Sequence, residues 1–157
     1  MPIEQILRRS EELDATIVGL LPDDYPIYPS RSRMDMSVTA ASLSIEHARA
    51  LRHLVGSGYF STAVPLMRLQ FEATTRSPWL LFAASEEDIA LAGAPLTSES
   101  EQAARRLPMA TDMIKGLRKA SAAVPAAAAP AAMLGRFDTL QRNALNSYIH
   151  GGIHALR

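Results

Sequence analysis

An all-α fold follows from three features of this 157-residue chain. Apolar residues recur at spacings of three and four along most of its length. No stretch alternates apolar and polar residues as a half-buried strand does, and the Asn-Gly and Asp-Gly pairs of tight hairpins are absent. A helix with one apolar stripe must bury it against neighbours. The expected architecture is therefore an up-and-down bundle of four to five main helices, forming one domain over residues 1–157.

The first helix spans residues 3 to 21, where Ile3, Ile6, Leu7, Leu13, Ile17, Leu20 and Leu21 fall at helical intervals and Pro2 suits the entry. Pro22, Pro26 and Pro29 then break the hydrogen-bond ladder, giving an extended loop to about residue 34. A second helix runs from about Asp35 to Val55, with Val38, Ala41, Ile45, Ala48, Leu51 and Leu54 inward, and Gly56-Ser57-Gly58 stops it. The third, from about Ser61 to Ala84, is the most hydrophobic and is expected to kink at Pro78. Ser85 followed by Glu86-Glu87-Asp88 reads as the capped start of a short helix. Residues 98 to 119 form a polar helical segment interrupted by Pro108. The Ala/Pro run from Ala122 to Ala132 reads as a linker, and the last helix starts between Met133 and Thr139.

Bulk composition narrows the function classes. Sixteen basic residues balance sixteen acidic ones, so no global field draws the chain to nucleic acid or anionic lipid. There is no cysteine, which removes disulfides, thiolate metal sites and cysteine nucleophiles and fits a cytoplasmic setting. The start carries charges where a signal peptide needs an apolar core, and the longest apolar run, Trp79 to Ala84, is far too short to cross a bilayer.

Polar side chains cluster at helical spacing in three places. Thr139, Asn143, Asn146, His150 and His154 share one face if the last helix is continuous. In the third helix Arg68 and Glu72 are four apart within an almost wholly apolar segment, where a charged pair needs further partners to offset its desolvation. Ser42, Glu46, Arg49 and His53 stripe the second helix. This stripe is either solvated or, turned inward, able to join Arg68 and Glu72. His150 and His154 have ligand spacing but give only two metal ligands, so a His-based metal site, the third reading, needs another ligand from Glu72, Glu46 or His53 and a helix that Gly151-Gly152 do not end; no metal or other cofactor is assigned. As a general acid or base, His150 would carry a proton near neutral pH, with Arg68 or Arg142 holding phosphate charge and Asn146 orienting the imidazole. Equally, these residues read as a structural network between helices.

The Arg-x-x-x-Glu helix at Arg68–Glu72, together with Asn146-Ser147-Tyr148-Ile149-His150-Gly151-Gly152, resembles uncharacterised bacterial helical families that are similar to the HEPN superfamily of defence and toxin–antitoxin proteins. The likeness covers residues 35 to 85 and 137 to 154. It implies a dimeric bundle and a metal-independent ribonuclease site built on an Arg-polar-x-x-x-x-His motif. Counted from Arg142-Asn143, that motif would place its histidine at 148, where this chain has Tyr148, and His150 stands two residues later. The site residues expected from residues and resemblance together are His150, Arg68, Glu72, Asn146 and Arg142. Expected partners are a second copy of the chain, RNA or a nucleotide, or another protein, with no membrane. The apolar pattern still running at Arg157 suggests that relatives continue into a further helix.

Overall fold

A computed structural model of the chain describes residues 2–20 and 32–149. These residues form seven α-helices and no strand: α1 (Ile3–Gly19), α2 (Arg33–Gly56), α3 (Phe60–Phe82), α4 (Glu86–Ala92), α5 (Ser98–Ala104), α6 (Ala110–Ala120) and α7 (Ala128–Ile149). A single 3-10 turn, Pro125–Ala127, leads into α7. The all-α expectation holds.

The Ser32 hydroxyl starts α2 by accepting from the Asp35 amide at 3.2 Å, a side-chain N-cap. Gly58, with φ of 81°, turns the chain directly into α3. So short a connection makes α2 and α3 antiparallel neighbours along their length, and hydroxyls stitch the pair together. Ser37 Oγ donates to the Ser77 carbonyl at 2.8 Å, and Ser44 Oγ lies 2.5 Å from Thr74 Oγ1.

From α3, Phe71, Trp79 and Leu80 enter the core and meet Met113, Ile114 and Leu117 of α6, and Leu134 of α7. The Phe71 ring packs on Phe137 of α7 with centroids 4.9 Å apart. Pro78 does not end α3, which continues to Phe82. At its C-terminal end, where helix carbonyls lose their partners, Arg33 Nη1 donates to Leu80 O at 2.7 Å and Ala84 O at 2.8 Å. The same guanidinium reaches Glu86 at 2.6 Å, fastening the start of α2 to the junction of α3 and α4. A reciprocal capping box between Ser85 and Asp88 opens α4, as the sequence suggests.

Three local expectations change. Residues 98 to 119 divide at Pro108, and the second half, α6, is a core helix with Met113, Ile114 and Leu117 buried rather than a polar one. The Ala/Pro run is largely structure, because α7 starts at Ala128 and both Ala127 and Ala131 are buried. Pro130 is accommodated because the first helical turn has no intrahelical use for its amide hydrogen. On α2 the fully buried residues are Ser37 and Ala40, while Val38, Ala41, Ile45, Ala48, Leu51 and Leu54 are half-buried.

Candidate functional site

Arg68 and Glu72 lie one turn apart on α3, so their side chains meet on one face. Arg68 Nε donates to Glu72 Oε1 at 2.5 Å, and Nη1 of the same guanidinium donates to Asn146 Oδ1 on α7. The arginine side chain is 16% exposed and the glutamate 33%. A planar guanidinium with several donors suits this task, since it satisfies a carboxylate and an amide oxygen in different directions at once. Three of the five expected site residues are thereby brought into one interhelical network.

Arg142, one turn before Asn146, is engaged elsewhere. Its Nε donates to Asp138 Oδ1 at 2.9 Å and its Nη2 to the second oxygen, a bidentate pair on a carboxylate that is itself buried. Thr139 donates to the Gly135 carbonyl at 2.9 Å. Thr139 and Asn143 face solvent, whereas Asn146 is half-buried and its neighbour Leu145 is in the interior. Ile149, at the end of α7, is 42% exposed. The expectations for His150, His154 and Gly151-Gly152 fall outside the described residues.

The polar stripe of α2 does not reach Arg68 through Arg49. Arg49 turns to α1, where its Nε donates to Asp14 Oδ2 at 2.8 Å, and Arg52 Nη2 donates to the same oxygen at 2.7 Å. Arg52 also donates to Ser10 Oγ at 3.3 Å. The hydrogen bond from Arg49 is the main cause holding the Asp14 carboxyl below its ordinary pKa; desolvation opposes it and Arg52 adds to it. Beside this clamp a cleft of about 400 Å³ opens between α1 and α2, lined by Leu7, Glu11, Arg49, Arg52, His53 and Ser57 among others. Sequence reasoning passed over Asp14 and Arg52. The available signal was that Ser10 and Asp14, four apart, interrupt the otherwise apolar side of α1.

A second cleft, of about 360 Å³, lies between α6 and α7 and includes Arg118, Arg136 and Thr139. The guanidinium of Arg118 occupies the space that a Cβ at Gly135 would take. Among the described residues no group of three or more His, Asp or Glu side chains is placed to hold a metal ion. No described helix is long and apolar enough to cross a membrane.

Residues 41–157 match a family described as a family of unknown function, DUF6988. No curated protein and no solved structure matches the chain. The matched segment contains Arg68, Glu72, Arg142 and Asn146 and excludes all of α1.

Proposed function

We propose a function from the premise that this chain belongs to the DUF6988 family, a family of unknown function: it is an HEPN-like helical domain that acts on RNA, in a defence or toxin–antitoxin setting in the cytoplasm. The observation that carries the reading is the link from Arg68 to both Glu72 and Asn146, which joins the two segments bearing the resemblance. His150 stands four residues after Asn146 in sequence, the spacing of one helical turn.

In this reading no metal is needed. His150 accepts the proton of a ribose 2′-hydroxyl as that oxygen attacks the adjacent phosphorus, and the bond from phosphorus to the 5′-oxygen breaks, with solvent supplying the leaving oxygen's proton. The remaining N–H groups of Arg68, or Arg142 once released from Asp138, stabilise charge on the phosphoryl oxygens. Glu72 and Asn146 hold Arg68 in place. The decisive experiment is cleavage of a mixed RNA pool, with chelator present, by the wild type and by His150→Ala. Cleavage by the wild type that the mutant loses is the expected result, and no cleavage by the wild type overturns the enzymatic reading.

A second reading is favoured by the fact that the Arg68 network is satisfied within the protein. Such a network fixes the register of α3 against α7, and the protein then works as a non-enzymatic module binding a protein partner or a second copy of itself. It predicts no cleavage and a lower melting temperature for Arg68→Ala.

A further inference from the structure

Two arginines on different helices line one cleft, and among the described residues neither side chain has a hydrogen-bond or ion-pair partner. The space, about 360 Å³ between α6 and α7, is bounded by Arg118 of α6 and by Ala132, Gly135, Arg136, Thr139 and Leu140 of α7. Together the two helices carry Asp112 and Asp138 against Lys115, Arg118, Lys119, Arg136 and Arg142. Lys115 takes Asp112, and Arg142 takes Asp138. No acidic residue of α6 or α7 is left for Arg118 and Arg136. A chain that is neutral overall thus carries a local excess of positive charge, assembled from two helices and so invisible as a basic run in the sequence.

Arg118 is seated in this cleft by Gly135. The atoms nearest to the position of a Cβ at Gly135 all belong to the Arg118 guanidinium, and its Nη2 stands where that Cβ would be. Glycine in a helix interior is costly, and this buried one leaves room for the arginine head. A guanidinium held in place loses less freedom when it binds an oxyanion. Thr139 brings a different chemistry. Its hydroxyl hydrogen goes to the Gly135 carbonyl at 2.9 Å, so toward the cleft the oxygen is only an acceptor. Such an oxygen offers nothing to an ionised phosphodiester but accepts the hydrogen of a ribose hydroxyl. Leu140, 74% exposed, adds an apolar wall against which a base can lie. The cleft is at the small end of ligand sites, about 300–1,000 Å³, which suits one nucleotide unit.

We infer that the cleft between α6 and α7 binds one ribonucleotide unit, with its phosphate on Arg118 and Arg136 and its ribose hydroxyl donating to Thr139 Oγ1. Where that unit belongs to a strand, the inference rests on the RNA reading above and adds a contact point to it. Thr139 and Asn146 lie on one line of α7, about 10 Å apart along its axis, so a strand seated here can continue toward the Arg68 network.

The test is binding to the full chain of a short labelled RNA of mixed sequence, of the matching DNA and of AMP, at several salt concentrations. Recovered RNA is run on a denaturing gel, so cleavage is read separately from binding. Arg118→Gln and Arg136→Gln should each weaken RNA binding about threefold to tenfold. Each should also flatten the dependence of log K on log salt by about 0.7, the loss of one phosphate contact on a single strand. Arg8→Gln, which removes the same charge from α1, should leave both unchanged. Gly135→Ala should weaken binding by displacing the Arg118 head and should not lower the melting temperature, since only a flexible side-chain tip has to move. Thr139→Val should erase a preference for RNA over DNA. If AMP displaces RNA with the same dependence on both arginines, the unit is a free nucleotide; if it does not, the unit is part of a strand. No binding, binding indifferent to either arginine or to Gly135→Ala, equal wild-type affinity for RNA and DNA, or an equal loss in Arg8→Gln would overturn the inference. Cleavage by a chain whose binding ignores both arginines removes this subsite and spares the ribonuclease reading. Arginine-dependent binding of RNA that stays intact does the reverse.

Discussion

Arg68 on α3 and Asn146 on α7 are joined directly, guanidinium to amide oxygen, across 78 residues of chain. With Glu72 on the other side of the guanidinium, the arginine has its ionic partner on its own helix and its neutral one on the neighbouring helix. Arg68→Ala is therefore expected to lower stability by about 1–3 kcal/mol, the cost of stranding partly buried polar partners. Asn146→Ala should cost less, and the two together should fall short of additivity by about 0.5 kcal/mol or more. Chemical denaturation of the two single mutants and the double mutant checks this.

Leu117 is fully buried where α6 meets α3 and α7. Leu117→Ala should cost about 2–5 kcal/mol through lost burial and the cavity left behind, far more than any substitution on the exposed face of the same helix. Thermal melting against Lys119→Ala provides the comparison.

Gly116 sits opposite the Trp79 ring, and a Cβ there would lie 3.6 Å from its nearest ring atoms, an ordinary contact. Because glycine in a helix interior is costly, Gly116→Ala should stabilise the fold by about 0.5–1 kcal/mol. A drop in melting temperature would mean that α6 lies closer to Trp79 than that distance allows.

Asp14 sets a pH dependence whose sign follows from its lowered pKa. The folded protein takes up the Asp14 proton less readily than the unfolded chain, so the stabilisation is fully present above the ordinary aspartate value near 3.9. It is lost as pH falls through the lowered value. The protection factors of the α1 amides, with the intrinsic pH dependence of exchange divided out, should accordingly fall in that acid range in the wild type. Asp14→Asn should show faster exchange already at neutral pH and a smaller acid response.

The helical periods of α1 to α3 and the capped start of α4 were legible in the sequence because each is written locally, in apolar spacing and in Ser85 with Asp88. The roles of α6 and of the Ala/Pro run were not. Alanine is small enough that Ala127 and Ala131 fill the core by close approach rather than by a visible apolar stripe. In α6, Met113, Ile114 and Leu117 are only three large apolar residues among polar ones, too few to outweigh the polar composition of the whole segment. Arg68 with Glu72 was legible from its apolar surroundings, and their meeting with Asn146 was expected without a contact that sequence could specify. The partner of Arg49 was missed because choosing it requires knowing how α2 is rotated, which local periodicity leaves open.

The clamp on Asp14 gives α1 a separate thermodynamic life from the rest of the molecule. A helix that buries no side chain draws little from the cooperative interior, so it can detach as its own unit at a free energy well below that of global unfolding. Its retention should respond to ionic strength more than to denaturant, since two arginines on one carboxylate are screened by salt while little apolar area changes hands. Protease sensitivity confined to the N-terminal end, rising with salt at temperatures where the α3, α6 and α7 core stays intact, would be the visible sign of that two-tier stability.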